Sequence, residues 1–492
     1  MSGVDVRLVL ISHTNVGKTS LARTLLRRDV GEVLDSAHTT LENQLHELAH
    51  TPQGDRLLLW DTPGFGNSAK LRDRLRSERR PVGWFLGEVW DRATDRSLWC
   101  AQQAIRAARD DGDLILYLVN ASEDPEFADY IAAELEILEW LEKPVIVLLN
   151  QLPPRSRRAE RERLEAAWRS AVGRGPVRRV LALDAYERCW LDESRLLTDA
   201  AALLEAEGRS AMERLLPLWQ AERLQRFDAA LEAVAGVLAD IGCDREPLGR
   251  GQPGRLGRVA ALRRLTGRLE RSVRQLDETL IALEGLDGAA AQRVSTALTE
   301  TRAHGERPSP TQGAAGGAVA GAAGGAMIDL LFSGLSFGFF TALGASLSAL
   351  AGWRWCYQAV DKRTLGWSAA FVKEATIEMT TRYLAVIHHG RARGRYEGVA
   401  LDSWREPAVE AATREAAAIA PLADDLDRLS PDRTLVLDHA RTAARRVITR
   451  ALVQEYPHGS WLLDHEPPAD TPAREARSGT TDPVTQARER AP

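Results

Sequence analysis

Ser12-His13-Thr14-Asn15-Val16-Gly17-Lys18-Thr19 is the stretch on which the fold of this chain turns. It follows a short β-branched and leucine run, Val6–Ile11, which reads as a buried strand. It opens Lys18–Arg28, where Leu21, Leu25 and Leu26 recur at helical spacing. The order strand, loop, helix carries the pattern G-x-x-x-x-G-K-[ST], with Ser12 standing where the first glycine is usual. Backbone N–H groups of such a loop and of the helix start point at phosphate oxygens. Gly17 lets the backbone come close, Lys18 brings a point charge to the β/γ oxygens, and the Thr19 hydroxyl suits Mg²⁺. Ser12 through Ser20 is therefore the expected phosphate-binding run.

A second element lies downstream. Asp61-Thr62-Pro63-Gly64 comes directly after the strand Leu57–Trp60. An aspartate there can hold Mg²⁺ through water, and the Gly64 N–H can meet a γ-phosphate. Between the two elements lies Ala37-His38-Thr39-Thr40. One of its threonines is expected to close over Mg²⁺ and the γ-phosphate, Thr40 in preference to Thr39.

Further buried-strand candidates are Leu114–Val119, Val145–Leu149 and Val180–Leu183, separated by helical patterns. Glu42–His50 is expected to pair antiparallel with the Leu57 strand through a turn at Pro52-Gln53-Gly54. This alternation implies an α/β domain over residues 1–190, a mostly parallel sheet with helices on both faces. From about Leu191 the strand signals stop, and an all-α region is expected. Residues 195–242 and 255–304 read as long amphipathic helices, with a glycine-rich break at Gly249–Gly257. The expected division is 1–190, helical 191–310, an apolar segment 311–353, helical 354–465, and a polar tail 466–492 read as disordered.

SHTNVGKTSL, the threonine pair and DTPGF together resemble bacterial GTPases of the Era, EngA and TrmE class. The resemblance covers about 190 residues. It implies GTP and GDP as ligands, Mg²⁺ as cofactor, and Lys18, Thr40 and Gly64 as the groups that act on the reacting phosphate. In that class an asparagine at the position of Asn15 can ligate K⁺ beside the phosphates, so cation-activated hydrolysis is implied; Asn15 as a loop cap is the alternative. Many GTPases place a water-positioning Gln after the DxxG glycine, and here that residue is Phe65. Hydrolysis is therefore expected to be slow and to need a cation, a loop backbone or a partner.

Base recognition departs from the family. Val145–Leu149 leads into Asn150-Gln151-Leu152-Pro153, where the family has N-K-x-D. Asn150 fits, and Gln151 can pack its stem on a base. Pro153 offers no acceptor for a guanine edge, and an unpaired edge costs about 1–3 kcal/mol. Leu183-Asp184-Ala185 follows the last strand. There the Ala185 N–H is placed to meet the base carbonyl, and Asp184 either supplies the missing carboxylate or caps the next turn. The arginine-rich stretches Arg72–Arg80 and Arg155–Arg163 read as solvated helix faces, with an arginine acting in cis on the transition state as the alternative. His388-His389 reads as surface, since no ligand lies nearby at zinc spacing.

From Thr311 to Trp353 the only charge is Asp329. Gly313, Gly317, Gly321 and Gly325 repeat every four residues, which permits close backbone approach. Residues 313–350 are expected either to form a helical hairpin that enters or lies on a membrane, the preferred reading, or to be a hairpin buried in a soluble helical domain. The layout also resembles a bacterial GTPase family whose C-terminal half is a domain of unknown function. Net charge is −5, which gives no reason to expect nucleic acid. Scattered cysteines and no signal-peptide pattern lead us to expect a cytoplasmic protein at the inner membrane face. The whole reads as a GTPase whose switch loops signal to a membrane-associated helical domain and an unknown effector. The alternatives are a nucleotide-gated scaffold and a dynamin-like remodelling protein.

Overall fold

The structure is a computed structural model. It describes residues 3–28, 43–66, 68–76, 96–125, 129–153, 157–173, 175–248, 255–286, a few positions between 291 and 298, 357–361, 363–390 and 401–464. Thr39 and Thr40, the segment 313–350 and the tail 466–492 lie outside the described residues.

Asp5–Ser12 forms β1 and Lys18–Leu26 forms α1. Gln44–His50 and Arg56–Asp61 form β2 and β3, an antiparallel hairpin, as the sequence implies. Ser68–Arg76 is α2, and Arg96–Arg106 is α3. Leu114–Asn120 is β4, Asp129–Glu139 is α4, and Val145–Asn150 is β5. Arg158–Val172 is α5 and Val177–Ala182 is β6. The six strands lie in the order β2-β3-β1-β4-β5-β6, all parallel except β2. β4 and β5 are buried along almost their whole length, as expected of central parallel strands covered on both faces. One apolar layer, with Val9, Tyr117, Val147 and Trp168, faces α2 to α5; the other, with Leu8, Leu116 and Leu148, faces α1. Strand order β3-β1-β4 sets the ends of β1 and β3 side by side, which brings the loop at Ser12 next to Asp61.

Trp190–Leu203 is α6, and Ala206–Cys243 is α7, a helix of 38 residues and about 57 Å. Its first half packs Ala211, Met212, Leu215 and Trp219 into the sheet's second layer. Its second half puts Phe227, Leu231, Val234 and Leu238 into the core of the helical region. One continuous helix is thus shared by both cores. Further helices are α8 (Arg255–Leu283), α9 (Ala369–Ile387), α10 (Leu401–Arg414), α11 (Ala416–Asp424), α12 (Arg433–Glu455) and the short α13 (Ser460–Leu463).

The C-terminal region is largely helical, with one addition that the sequence does not announce. β7 (Arg245–Pro247), β8 (Tyr357–Asp361) and β9 (Thr364–Trp367) form a three-stranded antiparallel sheet in the order β7-β9-β8. Strands this short show no alternation, and β7 finds its partner more than a hundred residues away. No helix among the described residues is long and apolar enough to cross a membrane.

Candidate nucleotide site

The loop after β1 is held open by its own backbone. Gly17 has φ +96° and Asn15 φ +65°, the left-handed region, which asparagine tolerates and glycine occupies freely. A Cβ on Gly17 would sit 2.7 Å from Nδ2 of Asn150, so only glycine fits beneath the base loop. α1 then starts at Lys18, which places Lys18, Thr19 and Ser20 in its buried first turn. His13, Thr14, Asn15 and Val16 lie in the loop itself.

Lys18 is buried and donates from Nζ to the Ser12 hydroxyl at 2.9 Å and to the His13 carbonyl at 3.4 Å. Burial lowers its pKa to about 8, against the pull of Asp61 and Glu134. The Thr19 hydroxyl donates to Asp61 Oδ2 at 2.7 Å. Burial raises Asp61 to about 6, opposed by Thr19 and Lys18. The other oxygen, Oδ1, is buried with no hydrogen-bond partner among the described residues. A hydroxyl and an unsatisfied carboxylate at the start of a helix are the hard-oxygen donors that suit Mg²⁺. Gly64 presses on this centre: a Cβ there would lie 2.7 Å from Lys18 Nζ.

Phe65 is fully buried, and its backbone continues the sheet. Its N–H donates to the Ser12 carbonyl at 2.9 Å, and its carbonyl accepts from the Thr14 N–H at 3.2 Å. It is a core residue tying the two phosphate elements together. Sequence reasoning passed over Glu134. This fully buried carboxylate on α4 meets His13 Nδ1 at 2.8 Å and accepts from the Tyr117 hydroxyl at 2.7 Å and from Ser68. Its partners come from the loop after β1, from β4 and from α2, so no local pattern marks it.

On the base side, Asn150 is fully buried and bridges two loops. Its Nδ2 donates to the Val16 carbonyl at 2.6 Å, and its Oδ1 accepts from the Ala185 N–H at 2.8 Å. Gln151 donates to the Asn15 carbonyl at 3.3 Å. Asp184 accepts with one oxygen from the Leu152 N–H and with the other from the Tyr186 N–H, both at 2.9 Å. Burial raises its pKa to about 6 against those backbone bonds. These bonds make Asp184 a brace between the two base loops, and the Ala185 N–H is engaged by Asn150.

Residues 7–151 match the family described as 50S ribosome-binding GTPase. Residues 169–454, more than half of the chain, match the family described as a domain of unknown function, DUF3482. The chain belongs to the DUF3482 family. No curated protein matches it. Among solved structures, this DUF3482 protein is similar to Era in complex with MgGDPNP and nucleotides 1506–1542 of 16S ribosomal RNA. Identity there is 19%, covering 41% of this chain and 58% of that one, with a TM-score of 0.32. It is also similar to a variant of Aquifex aeolicus Era bound to GDP and AlF4⁻, at 15% identity, covering 56% of this chain and 89% of that one, TM-score 0.32. In the DUF3482 protein a GTPase-type domain thus precedes a largely helical region.

Two surface expectations are corrected. His388 is buried, stacked on Trp404 at 3.7 Å, with Nδ1 on the Leu384 carbonyl at 2.6 Å and Nε2 facing the Tyr456 hydroxyl at 2.8 Å. A helix C-terminus supplies the carbonyl, and distant aromatics supply the cover. Arg157 and Arg161, expected on a solvated face, lie over the rings of Trp404 and Tyr456 at 5.0 and 4.6 Å. Arg72 and Arg76 of α2 pair with Asp73 and Glu136.

Proposed function

We propose that this protein binds GTP, hydrolyses it slowly with Mg²⁺, and transmits the nucleotide state from its switch loops to the helical region. The observation that carries the reading is the convergence of Lys18, Thr19 and the half-satisfied Asp61 at the mouth of a loop built for phosphate. Lys18 is the charge for the β/γ oxygens, and the loop N–H groups and that of Gly64 orient the phosphates. Mg²⁺ held by Thr19 and Asp61, with Thr40 closing from outside the described residues, would neutralise charge developing on the phosphates. Asn150, Gln151, Asp184 and Ala185 form the base end. Phe65 is buried and cannot orient water. Turnover therefore depends on a cation at Asn15, on loop backbone, or on a partner.

Support for coupling comes from Arg27. It follows α1 and precedes the segment that carries Thr39 and Thr40. Its guanidinium lies 3.2 Å from Glu284, just past α8 of the helical region. Glu284 also holds the buried Arg188 at 2.7 Å, and Arg188 pairs with Glu193 at 3.0 Å. Arg27 thus ties the chain that leads to Thr39 and Thr40 to this ion cluster.

The test is nucleotide binding by the full chain, GTP against ATP, with and without Mg²⁺, then turnover in potassium and sodium. Lys18→Ala should abolish tight triphosphate binding with the fold intact. Retained affinity in that folded variant, or a preference for ATP, refutes the reading. A second reading, attachment to a lipid surface through 313–350, rests on the single charge of that stretch. Failure of the full chain to float with anionic vesicles removes it.

A further inference from the structure

The loop that follows β6 leaves the sheet at its edge strand, where it has one sheet neighbour. Up to Ala185 its backbone is satisfied from within the nucleotide domain. The Leu183 N–H donates to the Leu149 carbonyl at 3.1 Å, the Ala185 N–H to Asn150, and the Ala185 carbonyl accepts from Thr24 Oγ1 at 2.9 Å. Beyond Ala185, where the Tyr186 N–H still turns back to Asp184, the loop also bonds to the backbone of the helical region. The Gly390 N–H donates to the Tyr186 carbonyl at 2.9 Å, and the Arg188 N–H to the His388 carbonyl at 3.1 Å. Glu187 and His389 thereby form an isolated antiparallel bridge.

The approach is very close. A Cβ on Gly390 would lie 1.9 Å from the Ala185 carbonyl oxygen and 2.7 Å from its carbon. Both are backbone atoms with no flexible end to move, so glycine is required. The segment 388–390 is itself anchored through the His388 ring, between Trp404 and Tyr456. Glu455, next to Tyr456, accepts from the Arg158 N–H at 3.0 Å and pairs with Arg161 at 3.5 Å, at the start of α5. α5 is the helix that follows the Asn150–Pro153 loop. The same anchor therefore touches the loop after β6 and the start of α5.

We infer that residues 388–390 of the helical region are positioning residues for nucleotide-base recognition, completing a base site that the N-terminal domain does not build alone. The inference rests on the GTP-binding reading and deepens it. Residues 388–390 touch the base end directly and reach the phosphate end only through Ala185, by way of Asn150 and Thr24, so the base end should feel their loss most. Linkage makes the effect reciprocal: whatever moves 388–390 changes purine-nucleotide affinity, and bound nucleotide steadies 388–390.

The experiment uses the full chain and two probes, GDP and inorganic tripolyphosphate, the second engaging the phosphate loop without a base. Gly390→Ala should weaken GDP by about tenfold, about 1.4 kcal/mol, and leave tripolyphosphate within about twofold. Amide hydrogen exchange on the wild type covers the case in which the variant does not fold. GDP should slow exchange at Tyr186, Arg188 and Gly390 together, and tripolyphosphate should not. A folded Gly390→Ala with unchanged GDP affinity overturns the inference. So does GDP protection of 184–186 without protection of 388–390. Both outcomes leave the GTP-binding reading standing. A wild type that binds neither probe removes that reading and the inference with it.

Discussion

Asn150 offers a perturbation whose size can be worked out. The side chain is fully buried and makes two short bonds to different loops, 2.6 Å to the Val16 carbonyl and 2.8 Å from the Ala185 N–H. Asn150→Ala strands both partners. An unsatisfied buried backbone group costs about 1–3 kcal/mol, so the pair sums to about 2–6 kcal/mol. A water entering the polar space left behind would recover part of this, and we expect about 2–4 kcal/mol. Asn150→Asp separates the two bonds. Its carboxylate still accepts from Ala185 but opposes the Val16 carbonyl with a second oxygen. Only the protonated acid restores a donor, so its deficit should shrink on acidification while that of the alanine variant stays. Denaturant unfolding followed by fluorescence measures the stabilities, and GDP titration measures the site. GDP affinity should fall by about tenfold or more in both variants at neutral pH, because the phosphate and base loops lose their common brace. Asn150→Ala within about 0.5 kcal/mol of wild type, with normal GDP binding, would refute the reasoning.

Asp184→Ala should weaken GTP and ATP alike, since its oxygens accept from the Leu152 and Tyr186 N–H groups; a loss confined to GTP would instead assign it a base-edge contact. Turnover should rise when potassium replaces sodium, and Asn15→Ala should erase the difference; equal rates in the two salts leave Asn15 as a loop cap. Burial lowers His388 to about 3 from an ordinary 6.5. The unfolded chain then takes up a proton first as pH falls. The stabilisation is complete above about 6.5 and is lost between there and about 3, at about 1.4 kcal/mol per pH unit. His388→Phe should flatten the acid limb of a melting-temperature series across that range, and an unchanged limb would show that another group governs it.

The geometry of the candidate phosphate end was legible because its parts are neighbours in the chain. Gly17, Lys18 and Thr19 form one turn, and Asp61 through Gly64 form another. A strand pattern before each fixes where the turn must stand, since adjacent parallel strands end side by side. Asp61 meeting Thr19 follows from that order alone. The β2–β3 hairpin was legible for the same reason, two strands and a turn within twenty residues.

What the sequence could not carry were the contacts made over long separations. Asn150 reaches Val16 across 134 residues, and Arg158 reaches Glu455 across 297. Glu134 looks like any helix carboxylate until His13, Ser68 and Tyr117 close around it. For Asp184 the sequence left open a substitute carboxylate or a turn cap, and the backbone N–H groups of Leu152 and Tyr186 that its oxygens meet come only with the fold. His388 and Arg161 are polar residues that local pattern assigns to solvent, and only tertiary packing supplies the rings and carbonyls that bury the first and partly cover the second. Local sequence fixes strand, turn and helix through backbone sterics and periodicity. Which polar group is desolvated, and by whom it is satisfied, is decided only when distant elements meet.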